Sequence, residues 1–282
     1  RVANVETISK QFGNERVVEH VLPKNWNQLN IKDLQFSYTG GREGEIHLEV
    51  DSITIQRGQK IAFIGHTGGG KTTMMRILRS LYHPQSIRLD VDGIPITDGF
   101  AGISDAIALI PQSPEICAST VRDNITMHDD GVDEKCINKY AQMTCFDEVV
   151  SGLPNGLNSS TKEKGVNLSG GQQQRLALSR GLLACHDKDI VLLDEPTSSL
   201  DVLTEINVYQ NIFREFAGKT IVSTIHKIHL LPMFDRICVF DKGRVVATGT
   251  MDELRASCEQ FVSLLEAMEK ANKGDFSESP CV

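Results

Sequence analysis

The chain has 282 residues, 40% of them hydrophobic and 23% charged, enough for one large domain or two modest ones with a real core; disordered, collagenous and low-complexity classes are excluded. A formal net charge of -8 argues against a nucleic-acid-binding surface, which needs basic patches to meet phosphate. The 7 cysteines show no CxxC pair and no metal-ligand spacing, and no apolar run reaches bilayer length, so a soluble chain with reduced thiols is predicted.

Along the chain, Val2, Val5, Ile8 and Phe12 recur at helical spacing until Gly13-Asn14. The chain opens on Arg1 with no cap before Val2, as a segment taken from a longer protein would, and residues 1–30 read as a linker. Alternating apolar residues at Leu34, Phe36, Tyr38 and at Ile46, Leu48, Val50 predict antiparallel strands around a glycine-rich loop. From Lys60 onward, short apolar runs (61–64, 106–110, 190–193, 220–225) end in polar loops and alternate with helical stretches. This pattern predicts a parallel sheet buried on both faces. Residues 114–183 carry helical patterning with few strand signals, which predicts an inserted helical subdomain. A hairpin over 237–247, a helix to about Glu269 and a mobile tail complete the reading.

Gly65-His66-Thr67-Gly68-Gly69-Gly70-Lys71-Thr72 follows the 61–64 run and precedes an apolar helix with Met74, Ile77, Leu78 and Leu81. Glycines let backbone N–H groups curl round phosphates, a helix N-terminus adds its positive end, and Lys71 supplies charge for the outer phosphates. The Thr72 hydroxyl then suits Mg²⁺, and Thr73 continues the loop into the helix. The chemistry indicated is binding of a nucleoside triphosphate. Ile190-Val191-Leu192-Leu193-Asp194-Glu195 is a buried strand ending in two carboxylates, at the strand end where open α/β sheets bind ligands. Asp194 is placed to hold Mg²⁺, leaving Glu195 to orient or deprotonate water.

Leu168-Ser169-Gly170-Gly171-Gln172 resembles the LSGGQ signature of ABC transporter ATPases, and it stands a short distance before the acidic strand, as in that family. The resemblance runs over about 31–268 and implies an ABC ATPase domain there. It implies an α/β fold: a P-loop NTPase core with a mainly parallel sheet, an N-terminal antiparallel β subdomain, and a helical subdomain carrying the signature. It further implies Gln112 as the Q-loop glutamine on Mg²⁺ and water, and Ser198-Ser199-Leu200-Asp201 as the D-loop. His226 would be the switch histidine toward the γ-phosphate, and Tyr38 the aromatic that stacks on adenine. Two such domains would pack head to tail, each ATP lying between Lys71 and its neighbours on one copy and Ser169, Gly170 and Gly171 on the other. Nothing comparable singles out His229.

Ser119–Ile125, Leu153-Pro154-Asn155-Gly156 and Glu163-Lys164-Gly165 are similar to exporter sequences in this family. They imply a membrane domain fused upstream and a place at the cytoplasmic face of the membrane. Four positions depart from the pattern: the glycine-rich loop after Tyr38, Gln85-Ser86, Lys162, and Lys227 in place of arginine. Three other readings are weaker: a soluble ATPase acting on DNA or ribosomes, a silent nucleotide-binding partner, and an importer ATPase. One cassette, an acidic balance and intact Glu195 and His226 stand against the first two, and the helical opening stands against the third.

Overall fold

The structure, a computed structural model, describes residues 22–38, 45–112, 115–161 and 167–272. The expected opening helix over Val2–Phe12, the loop 39–44, the segment around Lys162 and Glu163, and the tail after Asn272 lie outside these residues. Among the described residues, no helix is long and apolar enough to cross a membrane.

Strands β1 (Gln28–Phe36) and β2 (Leu48–Gln56) pair antiparallel, with Leu29 opposite Ile55 and Leu34 opposite Val50. In β1 the buried residues are Leu29 and Ile31, then Leu34 and Phe36, so the parity of the alternation flips midway. The flip falls where the pairing with β4 (Ser86–Val91) shifts register between Lys32 and Gln35, and Asp33 sits at φ 50°. A bulge there resets which face each side chain occupies. The expected strand therefore starts earlier than its alternation suggests, and Tyr38 lies beyond its end. The short β5 (Ile94–Pro95) pairs with β4.

Strands β3 (Lys60–Gly65), β6 (Ile107–Ile110), β7 (Ile190–Leu193), β8 (Thr220–Thr224) and β9 (Arg236–Asp241) form the parallel core in the order β9-β3-β8-β7-β6. Along β3, Ile61 and Phe63 join one apolar core, while Ala62 and Ile64 join the other. Burial on both faces makes such strands read as continuous apolar runs, and each fully buried Ile or Leu contributes about 1.5–3 kcal/mol. β10 (Arg244–Gly249) turns back antiparallel on β9 and meets β2 at Arg244–Glu49. The antiparallel portion is thus continuous with the parallel sheet through the β2–β10 contact, in one ten-stranded sheet among the described residues.

Helix α1 (Lys71–Leu78) follows β3. The helical portion comprises α2 (Val121–Thr126), α3 (Glu134–Met143), α4 (Asp147–Gly152) and α5 (Gly170–Ala184). Val121, Ile125, Ile137, Ala141, Phe146 and Leu176 give it a separate apolar core. Leu178 and Leu182, further along α5, belong to the core under the sheet, so α5 spans both bodies. Helix α6 (Val202–Glu215) precedes β8, and α7 (Met251–Ser257) and α8 (Glu259–Asn272) are the last elements among the described residues. One helix was expected there. Cys258 interrupts it in extended geometry, and α8 then continues three residues past the expected Glu269.

Candidate nucleotide site

The site begins where β3 meets α1. Gly65 has φ 144°, and a Cβ there would lie 2.1 Å from the Phe240 carbonyl oxygen of β9, so only glycine lets the two strands approach this closely. Residues 66–70 then turn into α1, whose first turn carries no side-chain cap. Its leading N–H groups are left for an anion, with the helix dipole behind them. Lys71 is buried, and its Nζ donates to the carbonyl oxygens of Gly65 at 2.7 Å and His66 at 3.1 Å. Burial lowers the Lys71 pKa, opposed by the charges of Glu195 and Asp194.

At the end of β7, Asp194 is buried and accepts hydrogen bonds at Oδ1 from Thr224 Oγ1 (2.9 Å) and Thr72 Oγ1 (3.3 Å). Burial pushes its pKa up, the Thr224 bond pulls it down, and the neighbouring Glu195 charge raises it further. Thr224 also accepts from the Glu195 amide at 2.7 Å, so one β8 hydroxyl ties both acidic residues together. Glu195 adopts φ 48°, an uncommon conformation for a residue with a side chain. Its carboxylate lies between two partners: Gln112 Nε2 donates to Oε2 at 2.6 Å, and His226 Nε2 lies 2.7 Å from Oε1.

These side chains surround one cleft of about 600 Å³. Thr67, Gly68, Gly69, Gly70, Lys71, Thr72 and Thr73 form its floor, with Gln112, Glu195 and His226 on one wall. Tyr38 and His47 face them at the other end. The Tyr38 hydroxyl is 2.6 Å from Thr73 Oγ1, and its ring stands edge-on to His47 and Tyr82. Gly65 and His66 face a different crevice, bordered by α8, and turn only their carbonyls to Lys71.

Ser169, Gly170, Gly171 and Gln172 do not line this cleft. Ser169 caps α5 in a reciprocal box: its hydroxyl accepts from the Gln172 amide, and Gln172 Oε1 accepts from the Ser169 amide. Gly171 packs on the 198–201 turn, where a Cβ would meet the Ser199 carbonyl oxygen at 3.0 Å. Asp201 caps α6 by accepting from the Thr204 amide at 3.0 Å, and that bond lowers its pKa. One residue of α5 ties the two regions together. The buried Gln174 donates to the Glu195 carbonyl (3.3 Å) and Ser198 Oγ (3.0 Å), and accepts from the Ser199 amide (2.8 Å). Neither Gln174, Thr224 nor His47 stands out in the sequence, since each acts through a contact distant along the chain.

A glycine-rich loop before α1, two carboxylates at the end of β7, and a glutamine and a histidine on the second of them gather on a parallel α/β sheet, the arrangement a nucleotide hydrolase needs. Residues 48–198 match the ABC transporter family, and the chain belongs to it. It is 32% identical to the uncharacterized ABC transporter ATP-binding protein YknV of Bacillus subtilis, over 85% of this chain and 39% of that protein. It is also 32% identical to the ATP-dependent lipid A-core flippase of Aromatoleum aromaticum, over 100% of this chain and 46% of the other. The chain thus spans less than half the length of these relatives. A bacterial Atm1-family ABC exporter solved with ATP bound shares the fold, with a TM-score of 0.76 at 24% identity, covering 99% of this chain and 48% of that one.

Proposed function

We propose that this chain is the ATP-binding and ATP-hydrolysing unit of an ABC exporter, working at the cytoplasmic face of a membrane with a membrane domain joined upstream. The observation that carries this reading is the Glu195 carboxylate, gripped by Gln112 and His226 on the wall of a cleft floored by the phosphate loop.

In this reading Lys71 exchanges its bonds to the Gly65 and His66 carbonyls for phosphate oxygens, and the uncapped start of α1 faces the same charge. Tyr38 stacks on adenine from the opposite end. Thr72 Oγ1 and Asp194 Oδ1 already converge, and a pair of hard oxygen donors suits Mg²⁺, which takes few protein ligands beside phosphate and water. Those two residues would hold the ion, with Gln112 within reach of the same end of the cleft, and bound Mg²⁺ neutralises charge on the transferring phosphate. Glu195 takes the proton of the attacking water while Gln112 and His226 hold its carboxylate in place. The N-terminus of α5, led by Ser169, Gly170, Gly171 and Gln172, lies off the cleft. It therefore serves the ATP of a second nucleotide-binding domain in a head-to-tail pair, with Asp201 near the shared face.

The test is the Glu195→Gln protein with Mg-ATP, assayed for hydrolysis and for solution mass by light scattering. Hydrolysis should fall about 10²- to 10⁴-fold, ATP should still bind, and the mass should double. Lys71→Ala should abolish binding. Near-native hydrolysis by Glu195→Gln would overturn the assignment of the base.

A further inference from the structure

Behind the Glu195–His226 pair lies a buried carboxylate that has no part in the chemistry described above. Glu205, in the first turn of α6, is only 2% exposed. Its Oε2 receives two cationic or polar groups from the segment that follows the switch histidine: Lys227 Nζ at 3.2 Å and His229 Nε2 at 2.9 Å. Its other oxygen accepts a short hydrogen bond from Thr197 Oγ1, two residues after Glu195. Lys227 reaches further and donates to the Leu200 carbonyl oxygen at 2.9 Å, in the turn just before Asp201.

Two physical points make this a mechanical tie as well as a satisfied ion pair. A buried carboxylate is tolerated only when its lone pairs are engaged, and partners that satisfy it lose their freedom to move. His226, moreover, is not backed by close packing. A cavity of about 130 Å³, lined by Glu195, Ser198, Tyr209, Ile225, His226 and Leu230 among others, lies between the switch segment and α6. With space on one side, His226 is placed by its contact with Glu195 and by the chain on either side, and on one side that chain is pinned through Lys227 and His229. Thr224, on the other side, is fixed to Asp194 and to the Glu195 amide.

We infer that Glu205 is a positioning residue that couples the 198–201 turn to the switch histidine, Lys227 and His229 acting as its two grips. The inference rests on the proposed ATPase reading and deepens it. A shift of the turn against a second copy pulls the Leu200 carbonyl and Thr197, and through Lys227 and Glu205 it moves His226 relative to Glu195. Contact between two copies is thereby felt at the hydrolytic centre without a side chain crossing the cleft.

The experiment uses the full chain in four versions: wild type, Lys227→Met, Glu205→Gln and Lys227→Arg. The first readout is the side-chain imidazole NMR signal of His226 in ¹⁵N-histidine-labelled, nucleotide-free protein. The second is the split between kcat and KM for Mg-ATP. Lys227→Met and Glu205→Gln should both move the His226 signal. They should lower kcat about 10- to 100-fold, the cost of a small misplacement of a reacting group, with KM changed less than about threefold. Lys227→Arg, which keeps charge and reach, should restore both readouts. If Glu205→Gln does not fold, the Met and Arg variants at Lys227 carry the comparison. A His226 signal and a kcat unchanged in folded Lys227→Met would overturn the coupling and leave the ATPase reading intact. A His226 signal that moves in Lys227→Met, when the wild-type chain itself does not hydrolyse ATP, would sustain the tie and overturn that reading.

Discussion

Replacing Gln174 by leucine keeps the volume of a buried side chain while removing every hydrogen bond it makes between α5 and the turn after Glu195. Three bonds are lost, to the Ser199 amide, Ser198 Oγ and the Glu195 carbonyl, at 2.8, 3.0 and 3.3 Å. The groups left behind are not equal. The Ser198 hydroxyl can rotate to a new partner, and the Glu195 carbonyl keeps a long bond from the Ser198 amide at 3.4 Å. The Ser199 amide loses its acceptor, but Ser199 is exposed and water can take part of that place, so the cost is that of an ordinary hydrogen bond, about 0.5–1.5 kcal/mol. We therefore expect Gln174→Leu to destabilise the protein by about 1–2 kcal/mol, with the two weaker bonds adding a few tenths each. In a domain of this size that corresponds to a melting-temperature drop of roughly 2–8 °C. Urea unfolding followed by circular dichroism measures the first figure and a thermal scan the second. A loss under about 0.5 kcal/mol, the scale of an ordinary surface substitution, would refute the claim that Gln174 holds the turn.

Lys60 opens β3 with its ammonium against the end of α6, donating to the carbonyls of Gly58, Phe216, Ala217 and Lys219 at 2.5–3.3 Å. Lys60→Met should cost about 2–4 kcal/mol in urea unfolding, because several carbonyls lose a charged donor at once; a neutral result would mean that water replaces it freely. Gly65→Ala drives a Cβ into the Phe240 carbonyl and should lower both stability and nucleotide affinity, the latter more than tenfold (~1.4 kcal/mol) by fluorescent-nucleotide titration. Gly170→Ala meets nothing within 4 Å, so its unfolding curve should match wild type within about 0.5 kcal/mol. If the signature serves a second copy, that variant should still lose the ATP-dependent mass change.

The chemistry was most legible where it is local. The glycine-rich loop, the acidic end of β7 and the stretch around Ser169 are each contiguous runs, so each is visible whole in the sequence. The parallel strands were legible because burial on both faces leaves an unbroken apolar run. β1 was half hidden, since the bulge at Asp33 splits its alternation into two out-of-phase pieces. β4 and β5 gave no clear signal: Ser86–Val91 is exposed or half-exposed at four of its six positions, and β5 is two residues long. The polar ties were least legible. Thr224, Gln174 and Glu205 work through partners 29, 25 and 24 residues away, and no short-range pattern marks them. His229, unremarkable as one histidine among 8, acquires a reason only when Glu205 is seen beneath it.

Lys71 occupies its own loop. With its ammonium on the Gly65 and His66 carbonyls, Lys71 places a cation inside the curve of that loop. An incoming phosphate therefore performs an exchange: it must offer oxygens that outcompete two backbone carbonyls for the same three protons. A single weak acceptor gains almost nothing by that trade, whereas a chain of phosphates can replace both contacts and engage the helix start together. On the proposed reading the loop thus favours ligands of high negative charge density over single weak acceptors.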